Sequence, residues 1–207
     1  MTNAGFSVTG NIHVKKEILD RYSTTEDGKI IIDITTDKVE YLYNDFDKHT
    51  PYIKKELDQA LVDYLIECMR DIGDDGFLIQ FRIAEKIDSD LKSRVRTSIQ
   101  SYFTYLKELE IRDLKQMLRT SSILFLIGII ILTVSVWFND YVAIHKSVIN
   151  KVFSEGLTVA AWISLWESLA TFLINWTPHK RQIKMCGRLA GASVFFEDEL
   201  PSDTGIT

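Results

Sequence analysis

The sequence predicts an α+β domain, a small sheet covered by helices, joined by a long helix to a two-helix transmembrane hairpin. Two apolar runs are the first observation. Ser121–Phe138 spans eighteen residues without a charge, and Gly156–Trp176 spans twenty-one with one, Glu167. Such runs match the ~20 residues that a helix needs to cross a bilayer. Two alternating segments and a long helical stripe complete the prediction.

The alternating segments are expected to be strands of one sheet. In Lys29–Thr35 every second residue is isoleucine, and Phe77–Ile83 again alternates large apolar residues with others. Period-two alternation is typical of a strand with one buried face. Between them an amphipathic helix is predicted, with Thr50 as its N-cap and Pro51 at its first position. A weaker strand is expected at Ile12–Val14.

From Asp88 onward the pattern is helical and stays so. Apolar residues recur three or four apart, and no proline or glycine intervenes before Gly128. This predicts one continuous helix that enters the first span, its apolar stripe covered by the sheet or by another subunit. Thr177–Pro178 is expected to end the second membrane helix. Val194–Phe196 is predicted to be a final strand of the sheet, paired within its own chain or with a neighbour.

The predicted organisation has six parts. They are a cytoplasmic α+β domain (1–87), a long helix continuing into the membrane (88–120), the first transmembrane helix (121–138), an outer connector (139–155), the second transmembrane helix (156–176), and a basic flank with the C-terminal strand and tail (177–207).

Basic residues predict the orientation in the membrane. Four Lys/Arg lie in 107–119 and four in 180–188, whereas the connector has only Lys146 and Lys151. Because cytoplasmic flanks carry the excess of Lys and Arg, both termini are expected in the cytoplasm. The predicted membrane-interface anchors are Arg119, Trp137, Trp176, Lys180 and Arg181.

Composition narrows the partners and the compartment. Residues 1–87 hold 11 Lys/Arg against 17 Asp/Glu, which argues against a nucleic-acid partner. Cys68 and Cys186 lack a CxxC context and are expected to be buried thiols of a reducing compartment. The N-terminus has no signal-peptide pattern. Membrane lipids and further copies of the chain are the expected partners, with an unidentified cytoplasmic protein as a third candidate.

The second apolar run carries a polar and small-residue face. Small residues recur every four positions, and in the first run Ser121, Gly128 and Ser135 recur every seven, giving a candidate partner face. Glu167 lies one residue from the midpoint of its run, where an ionised carboxylate is costly. It is interpreted either as a polar contact that holds helices of neighbouring subunits together or as part of a water-filled path. The predicted intramembrane face comprises Gly156, Ala160, Ser164, Glu167, Ser168, Thr171 and Asn175.

No motif indicates catalysis. The four histidines are scattered without metal-ligand spacing, and no phosphate-binding loop, nucleophile elbow or HExxH sequence is present. We therefore expect no catalytic residue, no cofactor and no metal, and the chain is interpreted as non-enzymatic.

The second run resembles an uncharacterised family of two-span bacterial inner-membrane proteins. The likeness rests on a Glu-Gly-Leu start, two tryptophans four apart and a Trp-Thr-Pro exit. It extends more weakly over 29–197. The chain departs from the pattern after the second tryptophan, where similar proteins have Arg-Pro-Leu-Glu and this one has Glu-Ser-Leu-Ala. The resemblance implies a bacterial inner-membrane location and supplies no reaction. The residues that carry it are Glu155, Gly156, Leu157, Trp162, Trp166, Trp176 and Pro178.

Two functions follow as hypotheses. In the first, a cytoplasmic interaction or sensing module is tethered to the inner membrane and oligomerises there. In the second, several hairpins surround a pore lined by Ser164, Glu167, Thr171 and Asn175, which requires an oligomer because two helices cannot enclose a path.

Overall fold

The computed structural model describes residues 17–47, 50–144 and 148–199. Their centre is a mixed four-stranded sheet in the order β1-β2-β3-β4. Strand β2 (Ile30–Thr36) lies parallel to β3 (Phe77–Ile83), with Ile30 opposite Phe77. Both strands agree with the predicted alternating segments. Strand β1 (Ser23–Thr24) pairs antiparallel with β2 and was not predicted.

The C-terminal strand is confirmed. Strand β4 (Val194–Phe196) lies parallel to β3 of the same chain, with Ile79 opposite Val194. Parallel neighbours need a crossover connection, and here the whole of residues 84–193 lies between the two strands. The last strand of the sheet therefore follows directly on the helices that return from the apolar runs.

The first helix, α1 (Gln59–Ile72), begins later than predicted. Its N-cap is Asp58, whose carboxylate accepts hydrogen bonds from the N–H groups of Ala60 and Leu61. The residues before Asp58 cannot be helical because their backbone pairs with another segment: Tyr43 and Leu57 form an isolated bridge. Pro51 thus precedes only a short 3-10 turn, and the predicted start at Thr50 is wrong.

Helix α2 (Ser89–Ile144) is continuous over 56 residues, as the unbroken helical pattern predicted. At 1.5 Å per residue it is ~84 Å long. Its early residues Val95, Ile99 and Phe103 are fully buried in one cluster with the sheet and α1. The sheet of its own chain therefore covers the apolar stripe.

The second apolar run is helical beyond its predicted limits. Helix α3 (Val148–Ala170) begins within the predicted connector, and α2 extends into that connector from the other side. A π-helical turn (Thr171–Asn175) links α3 to α4 (Trp176–Ala190), so the predicted break at Pro178 is not observed. Pro178 lies shortly after the π-helical turn, and a proline within a helix removes one hydrogen bond to the preceding turn.

The chain divides into two compact units. One comprises residues 1–107 and 184–207, and the other 108–183. The predicted strand at Ile12–Val14, the middle of the connector and the tail from Pro201 lie outside the described residues.

Candidate functional site

Helices α2 and α3 pack against each other as an antiparallel hairpin. The hydroxyls of Ser135 and Thr158 lie 2.6 Å apart. A Cβ atom added to Gly128 would lie 3.0 Å from the Leu165 side chain, which shows how closely the backbones approach. The rings of Phe138 and Phe153 meet edge to face at 5.6 Å. These contacts follow a single antiparallel register.

Small residues spaced by seven form this contact. In α2 they are Ser121, Gly128 and Ser135, the set that the sequence suggested as a partner face. The matching set in α3 is also spaced by seven and was not identified from the sequence. Its members are buried: Ser154, Ala161 and Ser168. A seven-residue repeat keeps one seam facing the partner helix, and small side chains allow close approach in lipid.

The predicted four-residue stripe lies largely outside the hairpin contact. A Cβ on Gly156 would meet no atom within 4 Å, and Ala160 is exposed. Ser164 is half-buried, and its hydroxyl donates a hydrogen bond to the Ala160 carbonyl. Only Ser168 is buried. Packing of this stripe against another copy of the chain stays a prediction.

Glu167 lies beside the beginning of the apolar run of α2. It lines a cavity of about 520 Å³ with Asp113, Gln116, Thr120 and Thr171, among others. Counted along its own run, Glu167 is near the midpoint, and the register that sets Gly128 against Leu165 places it within the apolar run of α2. The cavity that it lines extends to polar residues that precede Ser121. The depth of its carboxylate in a membrane stays a prediction.

The outer faces of both helices are apolar and exposed. In the most apolar windows of the two helices only 17% and 11% of the residues are buried. A core helix of a soluble protein of this length would be mostly buried. Both helices are long and apolar enough to cross a membrane. This part of the chain is therefore compatible with a membrane protein.

The predicted anchors are exposed. Trp137 is 83% exposed. Trp176 meets Phe172 edge to face at 6.0 Å, and the Lys180 ammonium lies 5.5 Å from the Trp176 ring centre. The predicted anchors Arg119 and Arg181 are also exposed, as is Asn175 of the predicted polar face.

A second candidate site is a cavity of about 300 Å³ at the carboxyl ends of β3 and β4. Its walls combine buried phenylalanines with charged groups from the β3–α2 connection and the first turn of α2. Lys92 is the most buried of the charged groups, at 9% exposed. The lining residues are Phe81, Ile83, Ala84, Glu85, Lys86, Ile87, Lys92, Phe196, Glu197 and Asp198.

No sequence pattern predicted the ion pairs beside this cavity. Three consecutive acidic residues follow β4 in a 3-10 turn (Glu197–Glu199), which we call the acidic turn. Each acid meets a different cation across more than one hundred residues of chain. The pairs are Glu197 with Arg82 (3.8 Å), Asp198 with Lys92, and Glu199 with Arg96 (2.9 Å).

Arg96 is also positioned by contacts with β4. The Arg96 Nε donates a hydrogen bond to the Val194 carbonyl at 2.9 Å, and the Arg96 guanidinium lies 5.9 Å from the Phe196 ring centre. The hydrogen bond from Lys92 holds the pKa of the Asp198 carboxyl below its ordinary value. The acidic turn is therefore held by charge as well as by the strand before it.

Other reactive groups do not form a site. Cys68 and Cys186 are buried and form no disulfide, as predicted. Burial raises the pKa of the Cys68 thiol, which makes it a poor nucleophile. Among residues 17–47, 50–144 and 148–199, no three His, Cys, Asp or Glu side chains are grouped to hold a metal ion.

Comparisons with protein-family models, with curated proteins and with solved structures find no match. The resemblance to two-span bacterial inner-membrane proteins therefore stays a prediction.

Proposed function

We propose that the protein is a non-enzymatic integral membrane protein of the bacterial inner membrane, in which the α2–α3 hairpin anchors a cytoplasmic interaction module. One observation carries the proposal: the hairpin buries its small residues and exposes its large apolar ones. Water would penalise this arrangement by ~25 cal/mol for each Å² of exposed apolar surface, whereas lipid would not.

The charges at the two ends of the hairpin support a cytoplasmic location for both termini. The eight basic residues in 107–119 and 180–188 flank the same end of the antiparallel pair. At that end the His179 ring lies 3.1 Å from the Glu110 carboxylate. The hairpin turn at the opposite end would face the periplasm.

Oligomerisation is proposed through the exposed stripe of α3. Gly156 and Ala160 are small, exposed and not used by the hairpin contact, so a second helix could approach the α3 backbone closely. The exposed carboxylate of Glu167 and the amide of Asn175 would add polar contacts near the cytoplasmic end.

The pore alternative has less support. Glu167, Thr171 and Asn175 all lie on the part of the second run nearest the cytoplasmic end. Toward the other end α3 exposes Val159, Trp162 and Ile163. A lumen lined by the predicted polar residues would thus be polar over only part of its length.

Carbonate extraction of bacterial membranes tests the anchor. The wild-type chain should stay in the membrane pellet and require detergent for release. Ile130 is 62% exposed within the apolar run, and arginine there should shift the protein to the soluble or aggregated fraction, since a central arginine costs about 2.5–3.5 kcal/mol on insertion scales. Tyr105→Arg is the matched control, because Tyr105 is 54% exposed on the same helix before the apolar run. Release of the wild-type chain by carbonate without detergent would overturn the proposed membrane anchor.

A further inference from the structure

The cavity at the ends of β3 and β4 contains an unusually buried cation. Lys92 is nine-tenths buried, its ammonium lies 5.7 Å from the Phe196 ring centre, and its ion-pair partner is Asp198. The side chain of Asp198 is 70% exposed, so this carboxylate reaches Lys92 from the solvent side. The mouth of the cavity is thus occupied by a carboxylate of the same chain.

The fixed walls of the cavity favour an anion once the acidic turn is set aside. Lys86 and Lys92 line it. Arg96 lies one helical turn beyond Lys92, outside the lining, and pairs with Glu199 of the acidic turn. Glu85 is the one acid among the lining residues that does not belong to the acidic turn. The neighbouring Asp88 is engaged, because its carboxylate accepts the Leu91 N–H at 2.7 Å as a helix cap. Lysine and arginine side chains are the usual partners of a phosphate group.

The apolar walls define the rest of the ligand. Phe81 and Phe196 form the floor, and Ile83 and Ile87 lie beside it. A volume of about 300 Å³ falls at the lower end of the range for small-molecule sites. It suits a single compact group and not a polymer. The carboxyl ends of parallel strands are also the edge at which α/β sheets bind ligands.

We propose that this cavity binds a small phosphate monoester with a flat apolar body, that Lys92 contacts the phosphate, and that Asp198 is an internal occupant that the ligand displaces. The inference rests on the proposed role of the domain as an interaction module and gives that module a ligand class. It does not depend on the hairpin. Displacement would also release the acidic turn that follows β4.

The test uses the full chain in detergent micelles, with AMP as the probe and adenosine as its uncharged counterpart, in ligand-observed NMR titrations. Asp198→Asn should bind AMP several-fold more tightly than wild type, because the competing carboxylate is gone. Adding Lys92→Met should weaken that binding by about tenfold or more, as expected for loss of a hydrogen bond to a charged group. Lys92→Arg should retain it.

Arg94→Gln is the matched control, because Arg94 lies on the same turn of α2, pairs with Asp90 and does not line the cavity. It should bind AMP like its parent. If Lys92→Met fails to fold by circular dichroism, Lys86→Gln replaces it. Phosphatidic acid added to the micelles separates a lipid head group from a free monoester; the proposal expects no competition with AMP.

Four results would each overturn the proposal. Two concern the ligand: adenosine binds as tightly as AMP, or phosphatidic acid competes with AMP. Two concern the variants: Lys92→Met leaves AMP binding unchanged, or Asp198→Asn does not bind AMP. The same Asp198→Asn protein should resist carbonate extraction. If AMP does not bind while the protein stays in the membrane pellet, the ligand inference is wrong and the proposed membrane anchor still holds.

Discussion

Helix α2 buries large apolar side chains in its first half and small side chains in its second half. Near its start, the large apolar residues Val95, Ile99 and Phe103 are completely buried. Farther along, Ser121 and Ser135 are buried while Ile130 is 62% exposed and Trp137 is 83% exposed. One continuous helix thus turns its apolar side inward in the α/β domain and outward in the hairpin. The difference is compatible with water around the first half and lipid around the second, the arrangement proposed above.

The largest expected effect comes from one substitution made in both halves. Ile99→Ala should destabilise the domain by about 2–5 kcal/mol, because it leaves a cavity in the core. Ile130→Ala should change stability by less than ~0.5 kcal/mol, because lipid or detergent contacts that side chain in either case. Hydrogen exchange in detergent-solubilised protein measures both, read in β3 for Ile99→Ala and in residues 121–138 of α2 for Ile130→Ala. Similar losses of stability in the two variants would contradict the inferred difference between the two halves of α2.

The close approach of α2 and α3 can be broken at a single glycine. Gly128→Val should weaken the hairpin by about 1–3 kcal/mol, since a side chain there meets Leu165. Gly156→Val is the matched control, because its site is open. The measurement is disulfide formation in a Ser135→Cys/Thr158→Cys background. Gly128→Val should reduce this crosslink. Gly156→Val should leave it intact while lowering the oligomer mass in native mass spectrometry. Absence of the crosslink in the Ser135→Cys/Thr158→Cys parent would contradict the register.

Alkaline pH should affect the domain before the hairpin. Burial raises the pKa of Tyr43 to about 12. Because the unfolded phenol ionises near pH 10, stability present below that pH is lost as pH rises toward 12, by up to ~1.4 kcal/mol per pH unit. Tyr43→Phe should reduce this loss, and Tyr41→Phe, at a 62% exposed site, should not. Circular dichroism follows the domain. The four tryptophans lie within 137–176, so their fluorescence follows the hairpin. A change in fluorescence at the same pH as the circular dichroism transition would contradict separate unfolding of the domain and the hairpin.

The smallest effect concerns the acidic turn. The pKa of the Asp198 carboxyl, measured by carbon-detected NMR, should lie below its ordinary value and return to that ordinary value in Lys92→Met. The stabilising contribution of this pair is present above the unfolded pKa and is lost as pH falls through the folded one. An unchanged pKa in Lys92→Met would show that Lys92 is not the cause.

Periodicity was sufficient for elements whose local and tertiary preferences agree. Strand β3 has the predicted bounds, and the unbroken helical stripe anticipated the continuity of α2. The start of α1 was misplaced because Thr50–Pro51 satisfies local capping rules, while the bridge between Tyr43 and Leu57 holds the following residues extended. Sequence spacing does not reveal that long-range pairing.

For the hairpin, the contact face of α2 was predicted and the contact face of α3 was not. Two small-residue periods compete in α3, one of four and one of seven, and only the seven-residue set matches the repeat in α2. Comparing the two runs would have selected Ala161 and Ser168, whereas Ser154 precedes the second run. The acidic turn carried no such signal, because its partners Lys92 and Arg96 are about one hundred residues away and are brought near only by β4.

Cysteine labelling in spheroplasts tests the anchored hairpin most directly. Phe46, 97% exposed in the domain, and Val148, 80% exposed at the hairpin turn, are each replaced by cysteine; Cys68 and Cys186 are already buried. A membrane-impermeant maleimide should label Val148→Cys in intact spheroplasts and Phe46→Cys only after permeabilisation. Labelling of both sites before permeabilisation, or protection of Val148→Cys until then, would contradict a hairpin that crosses the membrane with its domain in the cytoplasm.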